Sequence, residues 1–519
     1  MGPASRADPK NHPAMPNYLL AHDLGTSGNK ATLYSLDGKL VASQTCSYPT
    51  RFFNGNWAEQ NPQDWWKAVG DSSRALLSGL DAADVAVVAL SGQMMGCTVV
   101  DEQGNALRPS ILYCDQRASK QAGAILAQID LKSFYGIVGH RVSPSYSIEK
   151  LMWIRDNEPE IYRKTHKTLC AKDYINLRLT GRIATDFSDA SGTNAFDLNT
   201  FQWSSKIIGI AGVDGEMFPT AKESTAILGT ITTQTARETG LKEGTPVAVG
   251  GGDGSSAGVG VGCVKPGTAY NYLGSSSWIA LTVEKPIVDE QMRTMNWAHC
   301  VPGYLHPSGT MQTAGSSFNW MKEQLCSPES VAALAQGANP FDLINDAIAA
   351  TPVGANGVIF LPYMLGERSP WWNPNARGAF IGLNLASRRE DMLRAVMEGI
   401  SLNLGIIVDI FRAHVPIETI TVIGGGARSA VWRQIMADAY NCRIESLNVL
   451  EEATSMGAAV IGGVGAGLFK DFDVIHRFIA VEHFATPIAG NREKYRRRRA
   501  ILEKAYRGLE GVYDELAAL

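Results

Sequence analysis

The chain has 519 residues, 45% of them apolar and 19% charged, which is more than one hydrophobic core organises and predicts two large domains. Its net charge of −4 excludes the basic stripe of a nucleic-acid binder. Eight scattered cysteines without CxxC spacing exclude a zinc or disulfide scaffold and fit a reducing, cytoplasmic compartment, and the most apolar run, Met456 to Phe469, carries five glycines and is too short to cross a membrane.

Residues 1–16, rich in proline, alanine and polar groups, lack the apolar core of a signal peptide and are expected to form a disordered lead. From Tyr18 the sequence predicts a strand to Asp23, a turn over Gly25-Thr26-Ser27-Gly28, a strand from Lys30 to Ser35, an Asp37-Gly38 turn and a strand from Leu40 to Thr45. An Asp-Gly pair between alternating runs signals a hairpin, so the chain opens with an antiparallel meander. Asn61-Pro62 begins a helix with Trp65, Val69 and Leu76 on one face. Val85 to Leu90 reads as a buried strand ending in the loop Ser91-Gly92-Gln93-Met94-Met95-Gly96, a usual place for ligand contacts. Further on come Tyr113-Cys114-Asp115, helices between Lys150 and Thr180, and a polar loop from Thr185 to Gly192.

Pro246 to Val249 is a β-prone apolar run that delivers Gly250-Gly251-Gly252-Asp253-Gly254-Ser255-Ser256 at its end. Asp253 there reads either as a catalytic base mounted beyond a buried strand, or as the cap of a helix starting near Ser255. The first domain ends near Gly262.

The second half opens with Gly267 to Leu281, which repeats the pattern of Leu20 to Leu33: strand, Leu-Gly-(Thr/Ser)-Ser, strand. The repeat suggests two halves of one design facing each other across a cleft. Ala314 to Trp320 starts a helix, and Phe360 to Tyr363 leads into Gly366-Glu367-Arg368-Ser369-Pro370. A long helix spans Arg389 to His414, and Ile420 to Ile423 runs through Gly424-Gly425-Gly426-Ala427-Arg428-Ser429 into a helix from Trp432 to Tyr440. The stretch from Asn491 to Leu519 is helical, with Arg496 to Arg499 read as a solvated face; the small-residue run Met456 to Gly467 would serve a homodimer as well as internal packing.

Glycine turns at Gly25, Gly274 and Gly424 to Gly426 each follow a strand. Successive N–H groups in such turns form an anion-binding concavity, and glycine leaves room for a phosphate. None matches the GxxxxGK[ST] loop, so the three turns and the central aspartate point to ATP-dependent chemistry on another nucleotide fold.

Asp23-Leu24-Gly25-Thr26-Ser27, Gly251-Gly252-Asp253, Leu273-Gly274-Ser275-Ser276, Gly366 to Pro370 and Gly424 to Ser429 resemble, in order and spacing, the signatures of the FGGY carbohydrate kinases. The resemblance runs from about Tyr18 to Leu468 and lies nearest to the xylulokinases within that family. It implies an α/β fold of duplicated actin-like, ribonuclease-H-like domains, with ATP and a small sugar in the cleft between them. On that basis residues 17–263 are the sugar-binding domain, 264–480 the nucleotide-binding domain and 481–519 a helical extension.

The resemblance makes Asp253 the general base toward the sugar hydroxyl and Asp23 the holder of Mg²⁺. Gly25, Thr26 and Ser27 would cover the transferred phosphate, with Gly274, Ser275 and Ser276 approaching from the other side. Gly315 and Asn319 would lie by the nucleotide and Gly425, Gly426 and Ser429 by its adenosine, while Gln93, Met94, Met95 and Asp115 fall where the family touches the sugar. Xylulokinases typically carry Met-His where this chain has Met94-Met95, which replaces a hydrogen-bonding ring with a thioether. The alternatives to a ketopentose such as D-xylulose are therefore L-xylulose, ribulose, erythritol or gluconate. The Asp-Leu-Gly-Thr opening also occurs in actin-like chaperone ATPases, but only about fifty residues follow Leu468 and no β-rich peptide-binding domain is among them.

Overall fold

Two sheets with the same wiring organise the chain, of which the computed structural model describes residues 17–519; the expected disordered lead at 1–16 lies outside them. In the first sheet, β1 (Tyr18–Leu24), β2 (Gly28–Ser35) and β3 (Leu40–Ser47) form the predicted antiparallel meander. Helix α1 (Pro62–Leu76) starts as the sequence dictates: Asn61 accepts from the Gln63 amide, and Pro62 fills the first position, where no N–H is needed. It buries Trp65, Val69 and Leu76 in the core beneath the meander. β4 (Val85–Gly92) is buried along its whole length and runs parallel to β1, which is why it reads as a continuous apolar run. After α2 (Ser147–Asn157) and α3 (Ala171–Thr180), the strands β5 (Ile227–Thr230), β6 (Pro246–Ala248) and β7 (Gly251–Gly252) complete the sheet. Its order is β5-β6-β4-β1-β2-β3, with β7 continuing on β4 into α4 (Asp253–Gly260).

The second sheet contains β8 (Ala269–Leu273), β9 (Ser277–Leu281), β10 (Ser308–Met311), β11 (Thr419–Ile423), β12 (Arg443–Leu447) and β13 (Val481–Ala485), in the order β10-β9-β8-β11-β12-β13. Read from the meander outward, neighbouring strands in both sheets pair antiparallel, antiparallel, parallel, parallel and antiparallel. The Leu-Gly-(Thr/Ser)-Ser repeat thus marks the duplication of an entire sheet. Helices α5 (Gly315–Leu325) and α7 (Ala430–Tyr440) flank the long α6 (Arg389–Arg412), which is buried almost throughout in the second core.

α8 (Ala453–Gly465), which contains most of the apolar glycine-rich run, crosses to the first half and packs on β1, β4 and α4. A Cβ on Gly260 would fall 1.8 Å from the Ala453 carbonyl oxygen, and one on Gly457 1.8 Å from that of Ser256, so paired glycines set how closely α4 and α8 approach. Lys30 bonds Glu452 at 3.1 Å and Tyr34 bonds Ser455 at 3.1 Å along the same seam. α9 (Ala489–Ala517) returns to the second core through Tyr495, Leu502, Tyr506 and Tyr513.

Three expectations are corrected. The polar loop at Thr185–Gly192 is instead a short strand, Thr185–Asp186, and a helix, Phe187–Ser191, capped by Asp186 and buried. Its polarity serves a buried charge cluster, in which Lys172 Nζ lies 2.6 Å from Asp173, 2.9 Å from Asp186 and 3.0 Å from Asp189. The helix expected near Ser255 starts at Asp253. Of the arginine run, Arg496 and Arg497 pair with Glu493 in solvent, whereas Arg498 and Arg499 turn inward to the Val358 and Gly405 carbonyls, each at 2.5 Å. Glu398 on α6 supplies the carboxylate that lets Arg498 be buried.

Candidate active site

The ends of β1 and β8 each deliver a tight glycine turn. Gly25 N–H donates to the Gly28 carbonyl at 3.0 Å, and Gly274 N–H to that of Ser276 at 3.0 Å. Protein donors also satisfy the carbonyls inside each turn: Tyr48 Oη reaches Gly25 at 2.6 Å, Gln60 Nε2 reaches Thr26 at 2.6 Å, and the Ala314, Gly315 and Ser316 amides reach Ser275 and Gly274. The amides of Thr26, Ser27, Ser275 and Ser276 donate to no acceptor among the described residues. Each turn is therefore a concavity of unpaired N–H groups, the arrangement that takes a phosphate. Gly315 abuts the second turn so closely that a Cβ there would lie 2.4 Å from the Gly274 oxygen.

Between the halves lies a cavity of about 440 Å³, whose walls include Thr26, Gln93, Met94, Met95 and Asp253 from the first half and Ser275, Ser276 and Arg368 from the second. Asp253 is at the first position of α4, and its Oδ1 accepts from the Gly254 amide at 2.7 Å, so it does not cap a helix starting near Ser255. The preceding glycines bring the backbone close: Gly250 holds φ 75°, and a Cβ on Gly252 would meet the Met94 sulfur at 2.5 Å. Burial, reinforced by the nearby Asp23 carboxylate, pushes the Asp253 carboxyl up to about 7. Burial also raises Asp23, against the lowering effects of the Ser91 hydroxyl, at 2.7 Å, and of Lys30. Asp23 pairs in register with Ser91 on one side of β4 and Gly251 pairs with it on the other, so the two acids flank the end of that strand. Each keeps one carboxylate oxygen without a donor among the described residues. Two electrostatically unsatisfied carboxylates beside two amide nests are a hard-oxygen set that fits a divalent cation carried by a polyphosphate.

Gln93 Nε2 is spent on Gln60 at 2.8 Å, while its Oε1 is buried with no donor among the described residues. Met94 and Met95 line the same wall, with Met95 in the left-handed region at φ 63°. Asp115 corrects the sequence reading of a sugar contact: it is fully buried outside the cavity, and its oxygens accept from Ala58 N at 2.6 Å and from Arg117 at 2.7 to 3.0 Å. It braces the loop through an ion pair, while its neighbours Tyr113 and Cys114 face the cavity.

Gly425, Gly426, Ser429 and Asn319 lie outside this cavity. A Cβ on Gly426 would lie 2.4 Å from Leu273 at the end of β8, Ser429 caps α7 and donates to Asn345 at 2.9 Å, and Asn319 is exposed on α5.

Several wall residues have no motif to announce them. Tyr146 stacks on His140 at 5.0 Å, and Trp297 leans on the same ring at 4.3 Å. Trp297 sits on a strap between β9 and β10 that bonds the first half through Thr294 O to Tyr135, Asn296 N to Gly139, and Cys300 N to Ser255. Arg368 lies within a motif visible in the sequence, yet that motif does not reveal its task. Glu367, pushed up to about 8 by burial, accepts from the Gln312, Arg368 and Asn403 nitrogens and fixes the loop. The Arg368 guanidinium is half-buried at the cavity wall with no acceptor among the described residues.

Residues 18–260 match the N-terminal domain of the FGGY family of carbohydrate kinases, and residues 269–466 match its C-terminal domain. The chain is 32% identical to a xylulose kinase of Bacillus subtilis over 483 residues, covering 92% of this chain and 94% of that protein. It is 29% identical over 512 residues to a gluconokinase of the same organism, covering 97% and 98%. The structure of a ligand-bound xylulose kinase from Lactobacillus acidophilus superposes with a TM-score of 0.89 at 26% identity, over 96% of this chain and 99% of that one.

Proposed function

We propose, for a chain that belongs to the FGGY family of carbohydrate kinases, that it phosphorylates a ketopentose such as D-xylulose at a terminal hydroxyl, with ATP as donor and Asp253 as base. Membership in the family makes the chain an ATP-using sugar kinase; the particular sugar and the roles of its residues are our reading. The observation that carries it is the pair of unpaired amide turns, one from each half, facing a shared cavity that contains a carboxylate held near pH 7.

The sugar hydroxyl gives its proton to the Asp253 carboxylate as its oxygen forms a bond to the γ-phosphorus, and the bond from that phosphorus to the ADP oxygen breaks. Thr26 and Ser27 N–H groups receive the transferred phosphoryl oxygens from one side, and Ser275 and Ser276 N–H groups receive the β- and γ-phosphates from the other. Asp23 would hold Mg²⁺, which neutralises phosphate charge when bound. Gly315 and Asn319 would border the nucleotide, and Gly425, Gly426 and Ser429 its adenosine. Gln93 Oε1 accepts a sugar hydroxyl, and the Met94-Met95 wall packs on the carbon skeleton. Eight free cysteines support a reducing, cytoplasmic setting, and no helix among the described residues is long and apolar enough to cross a membrane.

A second reading, phosphorylation of an aldonate such as gluconate, is favoured by the unpaired Arg368 guanidinium, which would pair with a carboxylate. ADP release across pentuloses, hexuloses, tetritols and aldonates separates the two. Preferred turnover of D-xylulose supports the first reading, and preference for gluconate with loss in Arg368→Leu replaces it with the second.

A further inference from the structure

The left-handed turn at Met95 rests on a buried ammonium. Met95 has φ 63°, a region that residues other than glycine, asparagine, aspartate and histidine seldom occupy without support. Its carbonyl accepts a 2.7 Å bond from Lys150 Nζ on α2, and the same ammonium donates to the Ser145 carbonyl. Met95 and Ser145 are on separate loops, and both line the cavity.

Lys150 is fully buried, and among the described residues no carboxylate is within ion-pair distance of its Nζ. Of the acids around it, Glu149 accepts from Asn194 at 3.1 Å through one oxygen only, and Asp115 is held by Arg117 and Ala58. The Cys97 and Cys114 thiols are raised by burial and stay neutral. Burial draws Lys150 itself down to about 8, against the raising effects of Cys97, Asp115, Glu149 and Cys114, and among the described residues the only groups its ammonium touches are the two loop carbonyls. A buried cation without a counter-ion is a costly filler where methionine would occupy the same space. Its place beneath two loops of one wall gives it a task.

On the reading that the Met94-Met95 wall receives the sugar, we propose that Lys150 is a positioning residue: its ammonium ties the Met95 and Ser145 loops together and so sets sugar affinity without touching substrate. The nucleotide side, built from the second-half turns, is untouched by this strut.

The test is steady-state kinetics of Lys150→Met and Lys150→Arg with the preferred sugar. In Lys150→Met the sugar KM should rise about tenfold or more, while the ATP KM and the sugar-independent ATP hydrolysis stay within about twofold; Lys150→Arg should recover part of the loss. An unchanged sugar KM, or equal losses for sugar and ATP, overturns the proposal. Should Lys150→Met fail to fold, nitrogen NMR of lysine-labelled wild-type protein decides instead. An exchange-protected ammonium signal should shift on adding sugar and hold still on adding a non-hydrolysable ATP analogue; the reverse response overturns the proposal. Wild-type protein without any sugar-dependent ADP release removes the sugar-site reading itself, whereas normal turnover with an indifferent Lys150→Met removes only the role of Lys150.

Discussion

Burial and the Asp23 charge hold the Asp253 carboxyl near pH 7, where a base that accepts a proton and later sheds it works best. Only the ionised form accepts, so kcat/KM should fall about tenfold per pH unit below 7 and level off above it, as a pH–rate profile will report. Asp253→Asn should lose roughly 10²- to 10⁴-fold in sugar phosphorylation and keep nucleotide affinity by titration calorimetry. The same shift has a sign for stability. A carboxyl raised in the native state binds more protons there than in the unfolded chain between about pH 4 and 7, so its contribution to stability declines as pH rises through that window. Asp253→Asn should therefore unfold later than wild type at pH 8, by about 1–2 kcal/mol in urea titrations, and no later at pH 4. The placement of Asp253 and Asp23 is legible in the sequence because each lies where an apolar strand meets glycines, Asp23 next to the last residue of β1 and Asp253 directly after β7. Asp115 misleads because an acid beside a cavity loop looks the same in sequence whether it faces a ligand or Arg117.

At the scale of elements, hydrophobic periodicity and turn residues suffice for the meander, α1 and α6, where local chemistry and tertiary burial agree. They fail at Thr185–Gly192, where buried ionic groups imitate a solvated loop, and at Arg498 and Arg499, whose carbonyl and carboxylate partners come from distant segments. The apolar run in α8 is ambiguous in sequence between internal packing and a dimer; of its glycines, Gly457 lies against Ser256 of α4, Gly462 against Ala89 of β4 and Gly465 against the Thr225 carbonyl. Gly457→Ala should force α4 and α8 apart, because its Cβ would lie 1.8 Å from a backbone oxygen. A loss of about 1–3 kcal/mol or more is expected by chemical denaturation, against near-neutral Gly508→Ala, whose Cβ meets nothing within 4 Å.

Over the whole molecule, the duplicated sheets place a glycine turn at matching strand ends, so that one design supplies both sides of the proposed phosphate site. The repeat makes this readable from sequence, whereas the strap carrying Trp297 is not, because its contacts join segments far apart in the chain. The ends of the second half are held by a buried network. Glu398 accepts from Arg394 at 2.7 Å and Tyr495 at 3.0 Å and pairs with Arg498 at 3.2 Å, tying α9 to α6. Glu398→Leu leaves two buried guanidinium groups without their carboxylate and should cost about 3–5 kcal/mol in urea unfolding.

The most direct measurement is ADP release with ATP and Mg²⁺, with and without the preferred sugar, in wild-type protein and in Asp253→Asn. Release that requires the sugar, yields a sugar phosphate and collapses in Asp253→Asn is the predicted result. Release that proceeds equally without sugar, or survives near wild-type rate in Asp253→Asn, contradicts the account of a two-turn cleft built around Asp253.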